Sequence, residues 1–388
     1  MFVTPVRGFN IYKLLERMEE LNGKILEVSV PGKLFIAGEY AVLDGSPAIV
    51  IAVDRFMRGT IGPGEKNELS LPDLGLDLVD WSYDDGELRF SVPSKRLKFV
   101  KNALAMSIQY LIEKGVSVTP FSLRIVSELD DASGKKYGLG SSAATVVTTI
   151  TAVLHYFLAD EATKELIFKL AAIAHFKTQG SGSCADIAAA TYGGWIQYSM
   201  FDRNWLLKEM KRKKPLADLL TQTWPGLGIS PLSPPENFYL CVGWTGKKAS
   251  TPSMVGKIQH LKRYYLADYE QFIRASREAV NKITTGFRER DRMEIFQGLK
   301  QNRMALKRLG ELTGVEIETE DLAQLIALAD RYGVGKTSGA GGGDCGIAFV
   351  PDREAKVKLT DDWRRQGIQP LELSVSYGGI TVKRVESI

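Results

Sequence analysis

The chain has 388 residues, 44% hydrophobic and 25% charged, the composition of an ordinary globular enzyme of two or three domains. Fifty Lys and Arg against 46 Asp and Glu leave a net charge of +4, an excess that suits an anionic small molecule and is too weak to argue for nucleic acid. Cys184, Cys241 and Cys345 are far apart, odd in number and form no CxxC pair, which supports neither a disulfide framework nor a zinc site and fits a reducing, cytoplasmic compartment.

No apolar run is expected to reach membrane-spanning length, and Phe9 to Leu21 mixes apolar and charged residues, unlike a signal peptide. Residues 1–24 are expected to form an N-terminal extension with a short amphipathic helix. Ile25–Val30 is β-branched and partly alternating, a predicted strand. Pro31-Gly32 punctuates it, Leu34–Ala37 reads as a second short strand, and Ala48–Val53 as a third. Polar residues 62–97, with Gly, Pro and Asp clusters, are expected to form loops and hairpins. From Val100 to Lys114, apolar Val100, Ala103, Leu104, Ile108, Leu111 and Ile112 recur at helical spacing. Phe121–Val126 is a predicted strand. Thr145–Leu154 is a predicted buried helix, and Leu166–Phe176 a further one.

Composition breaks over residues 211–235, first basic, then rich in proline at Pro215, Pro225, Pro231, Pro234 and Pro235. The basic cluster Lys211-Arg-Lys-Lys214 has no interleaved aromatics and reads as a solvated face. A boundary here divides the chain into expected domains 25–215 and 216–388. Phe238–Gly243 opens the second as a strand, helices run to Tyr332, and strands are expected at Gly346–Val350 and Leu371–Val375. Strands and helices come in mixed order, without strict βαβ repeats, so the predicted class is α+β.

Two motifs are decoys. Gly333-Val-Gly-Lys-Thr337 imitates the end of a P-loop, but the required first glycine falls on Asp330, and a helix precedes it where a strand should. Gly341-Gly-Gly-Asp-Cys-Gly346 satisfies GxGxxG but precedes a strand and opens no helix. His155, His175 and His260 lie far apart, and His155 and His260 read as structural or surface residues.

Gly138-Leu-Gly-Ser-Ser-Ala-Ala144 carries more information. A glycine loop at a helix start aims unpaired N–H groups and the positive end of the helix dipole at one point, an anion site that phosphate commonly fills. Its serine hydroxyls suit phosphate oxygens or Mg²⁺. Three more segments share this texture: Pro31–Tyr40, with Lys33 and Glu39; Gln179-Gly-Ser-Gly-Ser-Cys-Ala-Asp186, with a lone carboxylate; and Ser338–Gly346. Each alone is a turn. Together they predict one cleft lined by backbone donors. Asp186 also reads as a helix N-cap, Lys33 as a surface lysine, and Glu39 and Asp344 as structural carboxylates, Glu39 paired with a base or capping a turn in the core.

In this order, PGKLFIAGEY, GLGSSAA and SGAGGGDCG resemble the three signature motifs of the GHMP kinases (galactokinase, homoserine, mevalonate and phosphomevalonate kinases), over residues 31–349. Gly134–Ser142, Gln179–Asp186, Gly243–Thr251 and Gly341–Gly346 resemble most the phosphomevalonate kinase branch of bacterial, Gram-positive type. The resemblance implies an N-terminal ribosomal-protein-S5-like domain with a left-handed βαβ element, a ferredoxin-like C-terminal domain, and ATP and substrate meeting between them. It implies phosphoryl transfer from ATP, with Mg²⁺, to phosphomevalonate in isoprenoid synthesis. Lys136, Gly138, Leu139, Gly140, Ser141, Ser142 and Ala143 would bind ATP, and Ser142 the metal. Lys33 and Asp186 would be catalytic. Lys33, Ser183, Ser250, Thr251, Gly341, Gly342 and Gly343 would bind the phosphorylated substrate. The implied partners are small molecules, without nucleic acid or membrane, for a monomer or homodimer. In mevalonate kinases a glutamate precedes the aspartate loop; the matching residue here is His175, which favours the phosphorylated acceptor. The alternatives are a mevalonate kinase and a non-catalytic ligand sensor on the same fold. Retention of Lys33, Ser142 and Asp186 argues for activity.

Overall fold

Alternation along the first strand sets one face into the core: Leu26, Val28 and Val30 are buried while Glu27 is exposed. A computed structural model describes residues 24–385 other than 94, 132, 213 and 248–250; the side chains of 251–253 are also outside the description. The expected N-terminal extension therefore lies outside the described residues except for Lys24.

Strand β1 is continuous, Ile25–Ala37, where the sequence predicted two strands split at Pro31-Gly32. A register shift against β2 (Ala48–Pro63) at Pro31/Gly32 absorbs the residue that lacks an N–H, so pairing resumes beyond it. The hairpin region contains β3 (Glu68–Leu71), β4 (Leu76–Asp84) and β5 (Glu87–Phe90). Helix α1 (Lys98–Glu113) and β6 (Phe121–Ser127) follow, then α2 (Ser141–Leu158), α3 (Lys164–Gln179) and α4 (Ala185–Tyr192). Strand β7 (Trp195–Ser199), helices α5 (Arg203–Lys211) and α6 (Leu216–Thr221), and β8 (Gly228–Leu232) lead to β9 (Tyr239–Trp244). Four helices come next: α7 (Thr251–Tyr264), α8 (Leu266–Glu289), α9 (Arg292–Thr313) and α10 (Glu320–Ala329). The chain closes with β10 (Val334–Thr337), β11 (Cys345–Val350), α11 (Arg353–Arg365), β12 (Gln369–Leu371) and β13 (Thr381–Val385).

Among the described residues there are two sheets. The larger has nine strands on the path β13-β1-β2-β6-β3-β4-β5, with β7 paired to β2 and β8 to β7. The smaller is antiparallel, in the order β10-β11-β9-β12. Two segments beyond residue 215 join the larger sheet: β8 against β7, and β13 against β1 from Ile25↔Val385. The strand expected at Leu371–Val375 is displaced to Gln369–Leu371. Past Leu371 the chain leaves β9 for the first sheet, where Val375 bridges Val53 and Ser376 N donates to Ala52 O at 3.0 Å.

Helix α2 is the centre of the larger core. Val146, Val147, Ile150, Val153 and Leu154 are fully buried, and the helix packs on β1, β2, β6, α1, α3 and α4. Gly59 permits the close approach of β2, since a Cβ there would stand 2.7 Å from Thr148 Cγ2. The expectation about apolar runs needs correction: Ser141–Glu161, 21 residues, is long and apolar enough to cross a membrane. Most of it is buried inside the protein, the reason a core helix passes the same test. A second core joins the 3₁₀ turn Ala41–Asp44 to α7, α8 and α9. A third lies between the smaller sheet and α10 and α11, where Trp363 Nε1 donates to Leu325 O at 3.0 Å.

Candidate active site

The bulge in β1 turns Lys33 toward the start of α2. Lys33 N donates to Leu139 O at 2.8 Å, and Lys33 Nζ to Gly138 O at 3.1 Å. Gly140 caps α2 with φ +84, the left-handed conformation that favours glycine. A Cβ at Gly140 would lie 3.0 Å from Lys33 Cγ and 3.1 Å from Cε, so this glycine is also what lets the lysine lie across the loop. Ser141 and Ser142 open the helix, and among the described residues neither hydroxyl has a hydrogen-bond partner. The first N–H groups of α2 thus point into a cleft of about 840 Å³ lined by Lys33, Lys136, Gly138, Gly140, Ser141 and Ser142. Leu139 and Ala143 are buried behind it and have only backbone to offer a phosphate.

The α3–α4 connection also lines the cleft, through Gln179, Gly182, Ser183 and Asp186. Gly180, φ +73, ends α3, and Cys184, φ +59, occupies the N-cap of α4. Ser183 Oγ accepts from Ala185 N at 3.3 Å, while Ser183 O accepts from Tyr198 OH at 2.6 Å. Burial pushes the Tyr198 phenol far above its ordinary value and keeps it a donor. The cap alternative for Asp186 is not what forms. Asp186 sits inside the first turn, its Oδ1 accepts from Ile187 N at 3.0 Å, and its carboxylate lines the cleft with Ser183.

The third glycine loop is latched to β1. Ser338 Oγ donates to Phe35 O at 2.9 Å and accepts from Phe35 N at 3.1 Å, and Tyr40 OH donates to Ala340 O at 2.5 Å. Below them, Lys336 Nζ meets Glu39 Oε1 at 2.5 Å and Thr337 O at 2.6 Å. The P-loop imitation is therefore strand β10, and its lysine is consumed by an internal ion pair with Glu39, the core pairing expected of that carboxylate. Ser338, Gly339, Ala340 and Asp344 line the cleft. The expected substrate contacts Gly341, Gly342 and Gly343 sit behind them. A Cβ on Gly341 would be 2.1 Å from Ile317 O, Gly342 N donates to that same oxygen at 2.9 Å, and a Cβ on Gly343 would be 2.9 Å from Lys247 O. At Gly341 and Gly343 the absence of a side chain permits this close packing. Asp344 packs against Gly138, where a Cβ would come within 2.8 Å of its own. Ser250 lies outside the described residues; Thr251 opens α7, with its side chain also outside them.

Sequence reasoning missed Lys98 and Phe99, at the start of α1, where no motif marks them and the helical pattern is legible only from Val100. Both line the cleft, with the Lys98 ammonium 5.0 Å from the Phe99 ring centre. Among the described residues, none of Lys33, Lys98 and Lys136 forms a salt bridge with a carboxylate. Three such cations, two hydroxyls and a helix N-terminus make an anion receptor large enough for polyphosphate. Among the described residues there is no group of three or more His, Cys, Asp or Glu that could hold a metal ion.

Residues 98–194 match the GHMP kinases N terminal domain and residues 283–369 the GHMP kinases C terminal. The chain belongs to the GHMP kinase family, and its two-domain α+β architecture is that family's fold. Within it, the chain is 36% identical to the phosphomevalonate kinase of Streptomyces sp. (strain CL190), over 90% of its own length and 97% of that protein's. It superposes on the Lin0012 protein from Listeria innocua with a TM-score of 0.87 at 38% identity, covering 94% of this chain and 100% of that one. It also superposes on Streptococcus pneumoniae phosphomevalonate kinase in complex with phosphomevalonate and AMPPNP, with a TM-score of 0.78 at 27% identity, covering 90% and 99%.

Proposed function

We propose that this chain transfers the γ-phosphoryl group of ATP to (R)-5-phosphomevalonate, giving (R)-5-diphosphomevalonate and ADP. One observation carries the reading: Lys33, the Gly138–Ser142 loop and Asp186 line one cleft in a chain 36% identical, over 90% of its length, to a phosphomevalonate kinase. The attacking atom is a phosphate-monoester oxygen, whose second pKa of about 6 makes it mostly a dianion at neutral pH. It forms a P–O bond to the γ-phosphorus as the bond from that phosphorus to the β–γ bridging oxygen breaks, and ADP leaves with the electron pair. No strong base is needed. Catalysis is positioning and charge neutralisation.

Lys33 neutralises the charge that accumulates as two polyanions meet, its stem held by the contact with Gly140 and its ammonium by Gly138 O. Asp186 orients the acceptor and Lys33. The N–H groups of α2 and Lys136 hold the nucleotide phosphates. Mg²⁺ fits this donor set: the Ser142 hydroxyl, without a hydrogen-bond partner among the described residues, and the Asp186 carboxylate are hard oxygen ligands, and such an ion would take its other ligands from the nucleotide and water. Bound there, it would offset negative charge on the nucleotide. A reducing, cytoplasmic setting belongs to the proposal; its support is three unpaired, buried cysteines. The test is product identity. With Mg-ATP and phosphomevalonate, ³¹P NMR should show a phosphomonoester resonance replaced by two coupled diphosphate resonances, and persistence of the monoester alone would refute the reading.

A further inference from the structure

His175 lies on α3, four residues before Gln179, and is 2% exposed. Neither of its ring nitrogens has a hydrogen-bond partner among the described residues. A buried polar group left unpaired is expensive, and an imidazole has two such atoms. The ring is nonetheless firmly placed. It stacks on Phe99 with 5.4 Å between centroids and 26° between planes. Gly182 lies against its edge: a Cβ there would stand 3.9 Å from His175 Cε1 and 3.6 Å from Gln179 Nε2. Gly182 has φ +126, a conformation that disfavours any side chain, so backbone geometry as well as residue size keeps a side chain from this edge of the ring. His175, Gln179, Gly182 and Asp186 all line the cleft that also holds Lys33 and Ser142.

We infer that His175 donates a ring N–H to a phosphate oxygen held in the cleft. The inference rests on the phosphotransfer reading above and deepens it by naming a contact that no glycine motif contains. An imidazole carries at least one N–H in either protonation state, so a donor is always present. The receptor around it is cationic and rich in N–H donors, which selects a phosphate oxygen over a neutral hydroxyl. Two phosphates enter this cleft, that of the nucleotide and that of the acceptor, and they share this chemistry.

His175→Phe keeps the stack on Phe99 and removes both unpaired nitrogens. A purely structural histidine would tolerate it with kinetics unchanged. Kinetics with each substrate varied in turn, and calorimetric binding of ATP and of phosphomevalonate, would be measured on the wild type and the variant. The expected result is an unchanged or raised melting temperature together with at least a tenfold loss in kcat/KM. Weakened phosphomevalonate binding assigns the contact to the acceptor, and weakened ATP binding assigns it to the nucleotide. His175→Asn, which restores an N–H donor, should recover part of the loss. A folded His175→Phe protein with both kcat/KM values and both affinities within twofold of wild type overturns the inference. If that variant fails to fold, the same threshold applies to His175→Leu, which also lacks a donor. A wild type that binds ATP but does not turn over phosphomevalonate refutes the proposed function separately, and the ATP-binding arm then decides the role of His175.

Discussion

Replacing Lys336 with methionine should destabilise the protein by about 3–5 kcal/mol, although the lysine touches no ligand site. Its ammonium and the Glu39 carboxylate are 2.5 Å apart, with side chains 1% and 2% exposed. The exposed pair Arg58–Glu128 has nearly the same separation, 2.6 Å, so distance alone would rank the two as equals. Burial separates them. With an effective dielectric near 20, charges at 2.5 Å attract by about 7 kcal/mol, and desolvation of the two ions offsets most of that. Lys336→Met removes the attraction and leaves a carboxylate stranded in the core, where Glu39 Oε2 already has no hydrogen-bond partner among the described residues. The double variant Glu39→Gln with Lys336→Met strands no charge and should return to within about 1 kcal/mol of wild type. Arg58→Met should cost at most about 1 kcal/mol. Urea unfolding at 25 °C, followed by far-ultraviolet circular dichroism with the slope held common, measures all three. A loss below about 1 kcal/mol for Lys336→Met, or a double variant no better than the single, would refute the assignment of this pair as a buried strut between β10 and the turn after β1.

Gly140→Ala forces a side chain into φ +84 and to 3.0 Å from Lys33 Cγ; kcat/KM should fall by about 10² with circular dichroism unchanged, and wild-type kinetics would show that Lys33 does not need this placement. Asp186→Asn should lower kcat by about 10² or more while the protein still binds ATP, whereas near-wild-type turnover would remove Asp186 from both the orienting and the proton-handling roles. Burial raises the phenols of Tyr40, Tyr192, Tyr198 and Tyr269, Tyr192 to about 12. Above pH 10 the unfolded chain loses these protons while the native state keeps them, so stability should fall as pH rises through 10. Absorbance at 295 nm should show these tyrosines ionising only as the fold opens; full ionisation near pH 10 with the fold intact would contradict their burial.

The parts of the site confined to one stretch of chain were legible in the sequence. Gly138–Ser142 and Gln179–Asp186 place glycines, hydroxyls and a carboxylate within a few residues of one another, and the cleft indeed gathers both. Lys98 and Phe99 escaped because folding alone brings them to the cleft, and the stack of Phe99 on His175, which the sequence had marked only as a replaced carboxylate, joins α1 to α3 across β6 and α2. Gly341 and Gly343 show the converse difficulty. A glycine that lets a ligand approach and one that lets Ile317 O or Lys247 O approach look the same in sequence. In the fold, strongly β-branched runs were read correctly, whereas β8 was hidden in a Pro- and Gly-rich stretch. It contains Gly228 and Pro231, which an edge strand paired only to β7 tolerates. The first-strand break was over-read at Pro31, where a bulge does the work expected of a turn.

The central claim is the choice of acceptor, and ADP release by the purified protein with Mg-ATP tests it most directly, with phosphomevalonate, mevalonate and diphosphomevalonate compared and Asp186→Ala alongside. Turnover with phosphomevalonate alone, abolished in the variant, is the predicted result. Turnover with mevalonate in its place, or ATP bound without turnover on any acceptor, would contradict it.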